Sequence, residues 1–199
     1  MLPRTTILIE RFFPTSYTRG REPAPDRARA THRNEEDTNQ FVTLFIAKLD
    51  PITRSLVYAG AGHLPGYVLG TDGEVKARLE STGIPLGILP DTDYPTESAS
   101  PLQPGETILL LTDGIVEAHG PDENLFGIER VLRLVKAHRD RPAREVLNAL
   151  FGAVRGFCGS AAQPDDMTAI VIKAAAPGAP GGAGPEPAAD AVLTRKSGA

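Results

Sequence analysis

From Phe41 onward the apolar positions recur first with a period of two and later with a period of 3.6, which predicts strands followed by helices. Phe45, Ala47 and Leu49 alternate with Ile46, Lys48 and Asp50. Asp50-Pro51-Ile52-Thr53 then turns the chain into Arg54 to Ala59, an antiparallel hairpin. Gly66 to Gly70 and Glu74 to Glu80 flank Thr71-Asp72-Gly73, a second hairpin. In its second strand Val75, Ala77 and Leu79 face one way while Glu74, Lys76, Arg78 and Glu80 face the other, so one side meets solvent. Ile108 to Thr112 is apolar or β-branched throughout, bounded by Pro104-Gly105 and Asp113-Gly114, as expected of a strand buried on both faces. After Gly114 the period changes. Ile128, Val131, Leu132 and Val135 form one stripe, and Ala143, Val146, Leu147 and Leu150 another that continues to Phe151, Val154 and Phe157. These predict two helices whose apolar stripes cover a sheet face. Ala169 to Ile172 is a final short β-branched strand.

The ends of the chain lack such rhythm. After a short apolar patch, Ile7 to Phe13, the segment from Thr15 to Gln40 is rich in Arg, Pro, Thr and Glu, which predicts loop or disorder. From Ala174 the sequence is a Pro/Gly/Ala tail that cannot bury a core. The expected organisation is therefore an irregular segment 1–40, one folded domain over 41–173 and a disordered tail 174–199. A length of 199 residues with 41% hydrophobic residues suits one domain. No apolar run is long enough to span a membrane, and a net charge of −4 argues against a nucleic-acid surface. The single cysteine, Cys158, excludes an internal disulfide framework and fits a reducing cytoplasm. Ile7-Leu8-Ile9 is interrupted at once by Glu10 and Arg11, so it does not read as a secretory signal.

Candidate chemistry gathers at two strand ends. Asp113 stands where the most apolar strand stops. A carboxylate there costs desolvation energy and is usually paired with a cation or starts the next turn, with Gly114 supplying positive φ in the latter case. Asp165-Asp166 precedes Met167-Thr168 and the last strand. Adjacent carboxylates repel unless something positive lies near, and two acidic strand ends suit a hard divalent cation such as Mg²⁺ or Mn²⁺; the alternative is a solvated loop. Asp91-Thr92-Asp93 follows Pro90 in a polar stretch and reads as a turn. Glu35-Glu36-Asp37 reads as a solvated charge run. His63 either orients a loop or contacts phosphate, or is a hydrogen-bonded structural residue. Cys158 reads as a small buried hydrophobe.

The run L-L-L-T-D-G-I-V-E-A, then Phe126-Gly127-Ile128-Glu129-Arg130, then D-D-M-T before a strand, resembles the C-terminal half of the PPM (protein phosphatase 2C-like) family in its bacterial SpoIIE-type branch. F-V-T-L-F at Phe41 to Phe45, A-G-A-G-H at Ala59 to His63 and T-G-I-P-L-G at Thr82 to Gly87 match the same branch in the same order. The resemblance covers about residues 40–173. It implies an α/β (α+β) sandwich of mainly antiparallel sheets flanked by helices, and a metal-dependent protein serine/threonine phosphatase. Two divalent cations, Mn²⁺ or Mg²⁺, would activate the water that attacks the phosphorus. By resemblance Asp113 and Asp165 are metal ligands, Asp166 and Gly114 support them, and Gly62 and Gly87 line the substrate groove beside His63.

The chain departs from the family pattern in one respect. A strand ending in Gly-Asp, whose Asp bridges the metals, belongs well ahead of F-V-T-L-F, whereas here the first Asp is Asp26, in P-D-R-A-R-A. The N-terminal strands that complete a sheet are accordingly expected to be missing, leaving unpaired edges and an oligomeric or marginally stable product. Two functions follow. One is a phosphatase, impaired or completed by residues outside this sequence, acting on a phosphoprotein such as a sigma-factor regulator. The other is an inactive remnant that binds a phosphoprotein or partner domain in bacterial signalling. A haloacid-dehalogenase reading fails, because the second Asp it needs falls on Ile115.

Overall fold

The computed structural model describes residues 5–14, 40–159, 167–175 and 189–196. Nine strands and three helices follow one another as β1 (Thr5–Pro14), β2 (Gln40–Leu49), β3 (Leu56–Ala61), β4 (Gly66–Leu69), β5 (Val75–Leu79), β6 (Glu97–Ala99), β7 (Thr107–Leu111), α1 (Asp113–Val116), α2 (Ile128–Ala137), α3 (Ala143–Cys158), β8 (Met167–Ala174) and β9 (Ala189–Lys196). They build a four-stranded sheet, β1-β2-β3-β6, and a five-stranded sheet, β5-β4-β7-β8-β9, with every pairing antiparallel. The α+β sandwich expected from the sequence is the one observed.

Alternation along the strands decides which side chains form which layer. Phe45, Ala47, Leu49, Leu56 and Tyr58 from the first sheet meet Val68, Leu79, Ile108, Leu110, Ile170 and Ile172 from the second in an inter-sheet core. The opposite face of the second sheet carries Tyr67, Leu69, Leu109, Leu111, Ala169 and Val171, which pack under α2 and α3. β7 contributes to both cores, which is why all five of its residues are buried and why its sequence shows no polar face. The two predicted stripes face this second core: Val131 and Val135 of α2 are buried, and so are Val146, Leu147, Leu150, Phe151 and Val154 of α3. Burial of five such side chains is what holds α3 in place, since each contributes on the order of 2 kcal/mol. Cys158 ends that buried stripe as a small hydrophobe.

The turns obey their local chemistry. Asp50 Oδ1 accepts the Ile52 and Thr53 amides at 2.9 and 3.0 Å, and Asp72 Oδ1 accepts the Glu74 amide at 3.0 Å beside Gly73 at φ +80°. The Asp91–Asp93 stretch is a turn, with Asp91 itself at φ 53°.

Two segments differ from the sequence reading. Residues 5–14, placed in an irregular region 1–40, form β1, which pairs with β2 over ten positions from Thr5↔Leu49 to Pro14↔Gln40. One N-terminal strand is thus present. Residues 189–196, placed in the disordered tail 174–199, form β9 on the edge of β8, from Met167↔Lys196 to Ala174↔Ala189. Both stretches are short and flanked by low-complexity sequence. Their strand character comes from pairing with the neighbouring strands β2 and β8, which their own periodicity does not register. The remainder of the region 15–39 lies outside the described residues.

Candidate active site

β7 delivers Asp113 to one end of the second sheet, where α1 begins. The residue just before it, Thr112, is buried and occupies the N-cap position without capping the helix through its side chain. Its hydrogen bonds go to β8 instead. Thr112 N donates to Thr168 O at 3.0 Å, Thr168 N donates to Thr112 Oγ1 at 2.9 Å, and Thr112 Oγ1 lies 3.4 Å from Thr168 O. This lock fixes the start of β8 alongside the end of β7. Asp113 is half-buried, and its carbonyl accepts the Glu117 amide at 2.7 Å, closing the single turn of α1. Gly114 is buried inside that turn with helical backbone. The expectation that it supplies positive φ is therefore corrected: a helical turn starts directly at Asp113, so no left-handed residue is needed.

Asp165 and Asp166 lie outside the described residues. They immediately precede Met167, the first residue of β8. Among the described residues there is no group of three or more His, Cys, Asp or Glu side chains able to hold a metal ion. Asp113 is the one carboxylate of the expected set that the described residues contain. Its oxygen donors suit a hard divalent cation, and the rest of the set would come from the segment just ahead of Met167.

The two glycine-rich motifs form one structure. The Gly62 amide donates to Gly83 O at 2.8 Å, and the Thr82 and Gly83 amides both donate to Gly60 O, at 3.0 and 2.9 Å. Leu86 exchanges two backbone hydrogen bonds with Val42, at 2.8 and 3.0 Å. Gly62 has φ +64°, and a Cβ there would fall 2.3 Å from Pro85 Cγ. No other residue type fits that position. Gly87 follows at φ +90° on the exposed side of the loop. Because Tyr67 pairs with Leu109 in antiparallel register, the segment 62–65 enters β4 at the same end of the second sheet at which β7 delivers Asp113.

His63 is buried in this segment. Its Nδ1 lies 2.9 Å from the Leu64 carbonyl, its ring stands 6.1 Å from that of Phe45, and its own carbonyl accepts Ser81 Oγ at 2.9 Å.

A further element of the site carries no role in the sequence reading. Arg130 Nη1 donates to the carbonyls of Leu125 and Phe126, both at 2.8 Å, and its guanidinium lies 4.9 Å over the Phe157 ring. It clamps the loop that follows α1 against the helices. The four-residue spacing from Phe126 to Arg130 was the available signal.

Residues 25–175 match the family model described as Stage II sporulation protein E (SpoIIE). The chain belongs to the SpoIIE family. It is 32% identical over 136 residues to Protein IcfG of Synechocystis, covering 68% of this chain and 21% of that protein. It is 30% identical over 139 residues to the phosphoserine phosphatase RsbU of Bacillus subtilis, covering 69% of this chain and 40% of RsbU. Among solved structures, the SiaA-PP2C domain of Pseudomonas aeruginosa superposes with a TM-score of 0.58 at 28% identity, over 67% of this chain and 52% of that one. The chain thus spans less than half the length of either curated relative. The fold is that of the PP2C-like phosphatases.

Proposed function

We propose that this chain is a divalent-cation-dependent phosphatase domain that releases phosphate from phosphoserine or phosphothreonine in a bacterial regulatory protein. The observation that carries this reading is the Thr112–Thr168 lock, which holds the start of β8 beside Asp113. Asp165 and Asp166 are the residues next in sequence to that start. Asp113 and Asp165 would hold Mn²⁺ or Mg²⁺, with Asp166 supporting them, and the cation would supply Lewis-acid activation of water and charge neutralisation at phosphate. The glycine-rich segments around Gly62 and Gly87 would let substrate approach the backbone closely. Similarity to the phosphoserine phosphatase RsbU supports a substrate that carries phosphoserine, and we take it to be a phosphoprotein such as a sigma-factor regulator. Among the described residues no helix is long and apolar enough to cross a membrane, and we assign the domain to the cytoplasm. Val57 and Ile46 are partly exposed on the outer face of the first sheet, which favours self-association.

The test is Mn²⁺-dependent phosphate release from a phosphoserine peptide by the 199-residue chain, compared with Asp113→Ala and Asp165→Ala. Release that is lost in both variants is the expected result. A folded parent that releases no phosphate would overturn the enzymatic reading and leave a phosphoprotein-binding module in its place.

A further inference from the structure

A pocket of about 350 Å³ opens beside α1, and nothing in the chemistry above uses it. Its floor is Tyr67 of β4 and Leu111 of β7, on the helix-facing side of the second sheet. Val116 and Leu125 form its wall. Leu125 is 47% exposed, at the end of an exposed loop stretch, residues 121–124. At Gly127, with φ +76°, an added Cβ would meet nothing closer than the Leu125 carbonyl at 4.0 Å, so the pocket stays open along that side. Arg78 and Glu117 stand among the lining residues as its charged members.

Three features limit what can occupy it. The volume lies at the small end of the range for ligand pockets, which suits a single side chain better than a dinucleotide or flavin cofactor. The lining is apolar apart from two charges of opposite sign, which suits an uncharged side chain attached to a main chain. Glu117 is an acceptor for a passing amide, and Arg78 is a donor for a passing carbonyl. Arg78 is steadied for that task, with its guanidinium 5.7 Å over the Tyr67 ring and its Nε 3.0 Å from Glu80. Finally, the pocket shares a stretch of chain with the strand end that carries the candidate chemistry. Leu111 lies two residues before Asp113 and Val116 three residues after it, so one turn of chain serves both.

We infer that this pocket receives a large aliphatic side chain of the phosphoprotein substrate, a few residues from the phosphorylated one, and so selects among phosphoserine sites by sequence. The inference rests on the phosphatase reading and names the feature by which that site recognises its substrate. Burial of one leucine sets the scale of the selection at roughly tenfold or more.

The experiment uses fluorescein-labelled phosphoserine heptapeptides in which a single leucine is scanned through every other position of a serine background. Binding is read by anisotropy in Mn²⁺, and phosphate release is read on the same peptides. The expected result is at least about tenfold tighter binding for leucine at one or two positions, with the preference abolished in Leu125→Asp and reduced in Arg78→Ala. Both variants change exposed side chains, and their melting temperatures confirm the fold. A flat scan, or a preference that survives Leu125→Asp, overturns the inference. The two readings separate cleanly. Phosphate release without leucine preference removes the pocket and keeps the phosphatase, whereas selective binding without release removes the phosphatase and keeps the pocket.

Discussion

The two ends of β7 each carry an acid, and the two acids are built for different work. At the start of the strand Glu106 is 5% exposed, and its carboxylate is fully engaged. Oε1 accepts Lys76 Nζ at 2.7 Å and Oε2 accepts the Gln103 amide at 2.9 Å. The Glu106 carbonyl also accepts the Ala174 amide at 2.9 Å. These contacts tie the Pro104-Gly105 turn, β5 and β8 together, so Glu106 is a structural acid. At the other end Thr112 ties β7 to β8, and half-buried Asp113 opens a single turn of helix with its Oδ1 buried. Asp113 is the acid that the proposed function assigns to the cation.

That comparison can be broken most sharply at Asp113. Asp113→Ala should abolish phosphate release by at least about 100-fold, since a cation's charge stabilisation is worth several kcal/mol. Its melting temperature should stay within a few degrees of the parent's, and calorimetry alongside the activity assay checks both. Glu106→Ala should do the reverse. It leaves the Gln103 amide and Lys76 without their acceptor and should cost about 1–3 kcal/mol of stability in a denaturant titration. Lys76 keeps access to water at 40% side-chain exposure, which places the loss toward the lower end. Activity per folded molecule should be unchanged.

A high-pH control separates the two sheets. Tyr58 is buried in the inter-sheet core, stacked 5.5 Å from Phe45, and donates to Glu97 at 2.7 Å. Burial, reinforced by the hydrogen bond and the charge of Glu97, pushes its phenol up to about 12. The unfolded phenol titrates near 10. The neutral form is therefore favoured in the folded state, and that stabilisation is complete below about pH 10 and lost as pH rises toward about 12. Melting temperature measured across that window should fall, by an amount equivalent to about 2 kcal/mol. In Tyr58→Phe the part of the fall due to this group should vanish. The smallest expected effect is that of Thr112→Val, which keeps the shape but deletes the hydroxyl shared with Thr168. It should cost about 1 kcal/mol and lower activity more than stability, because it loosens the placement of Asp113.

Much of this contrast was legible in the sequence, for physical reasons that differ by element. β7 was readable because burial on both faces leaves an uninterrupted apolar run, and α2 and α3 because one buried stripe imposes a period. Asp113 was readable as an acid at the end of such a run. β1 and β9 were not, because what makes them strands is pairing with β2 and β8 rather than a pattern of their own. The role of Glu106 was hidden too: its cation, Lys76, is thirty residues away on an edge strand. The pocket beside α1 draws on β4, β5, β7 and the loop before α2, an arrangement that only the folded chain assembles.

The most direct measurement is calorimetric titration of Mn²⁺ into the parent, Asp113→Asn and Glu106→Gln. Binding in the parent and in Glu106→Gln, with binding lost in Asp113→Asn, is the predicted result. Equal Mn²⁺ binding in the parent and Asp113→Asn would contradict the assignment of the two ends of β7.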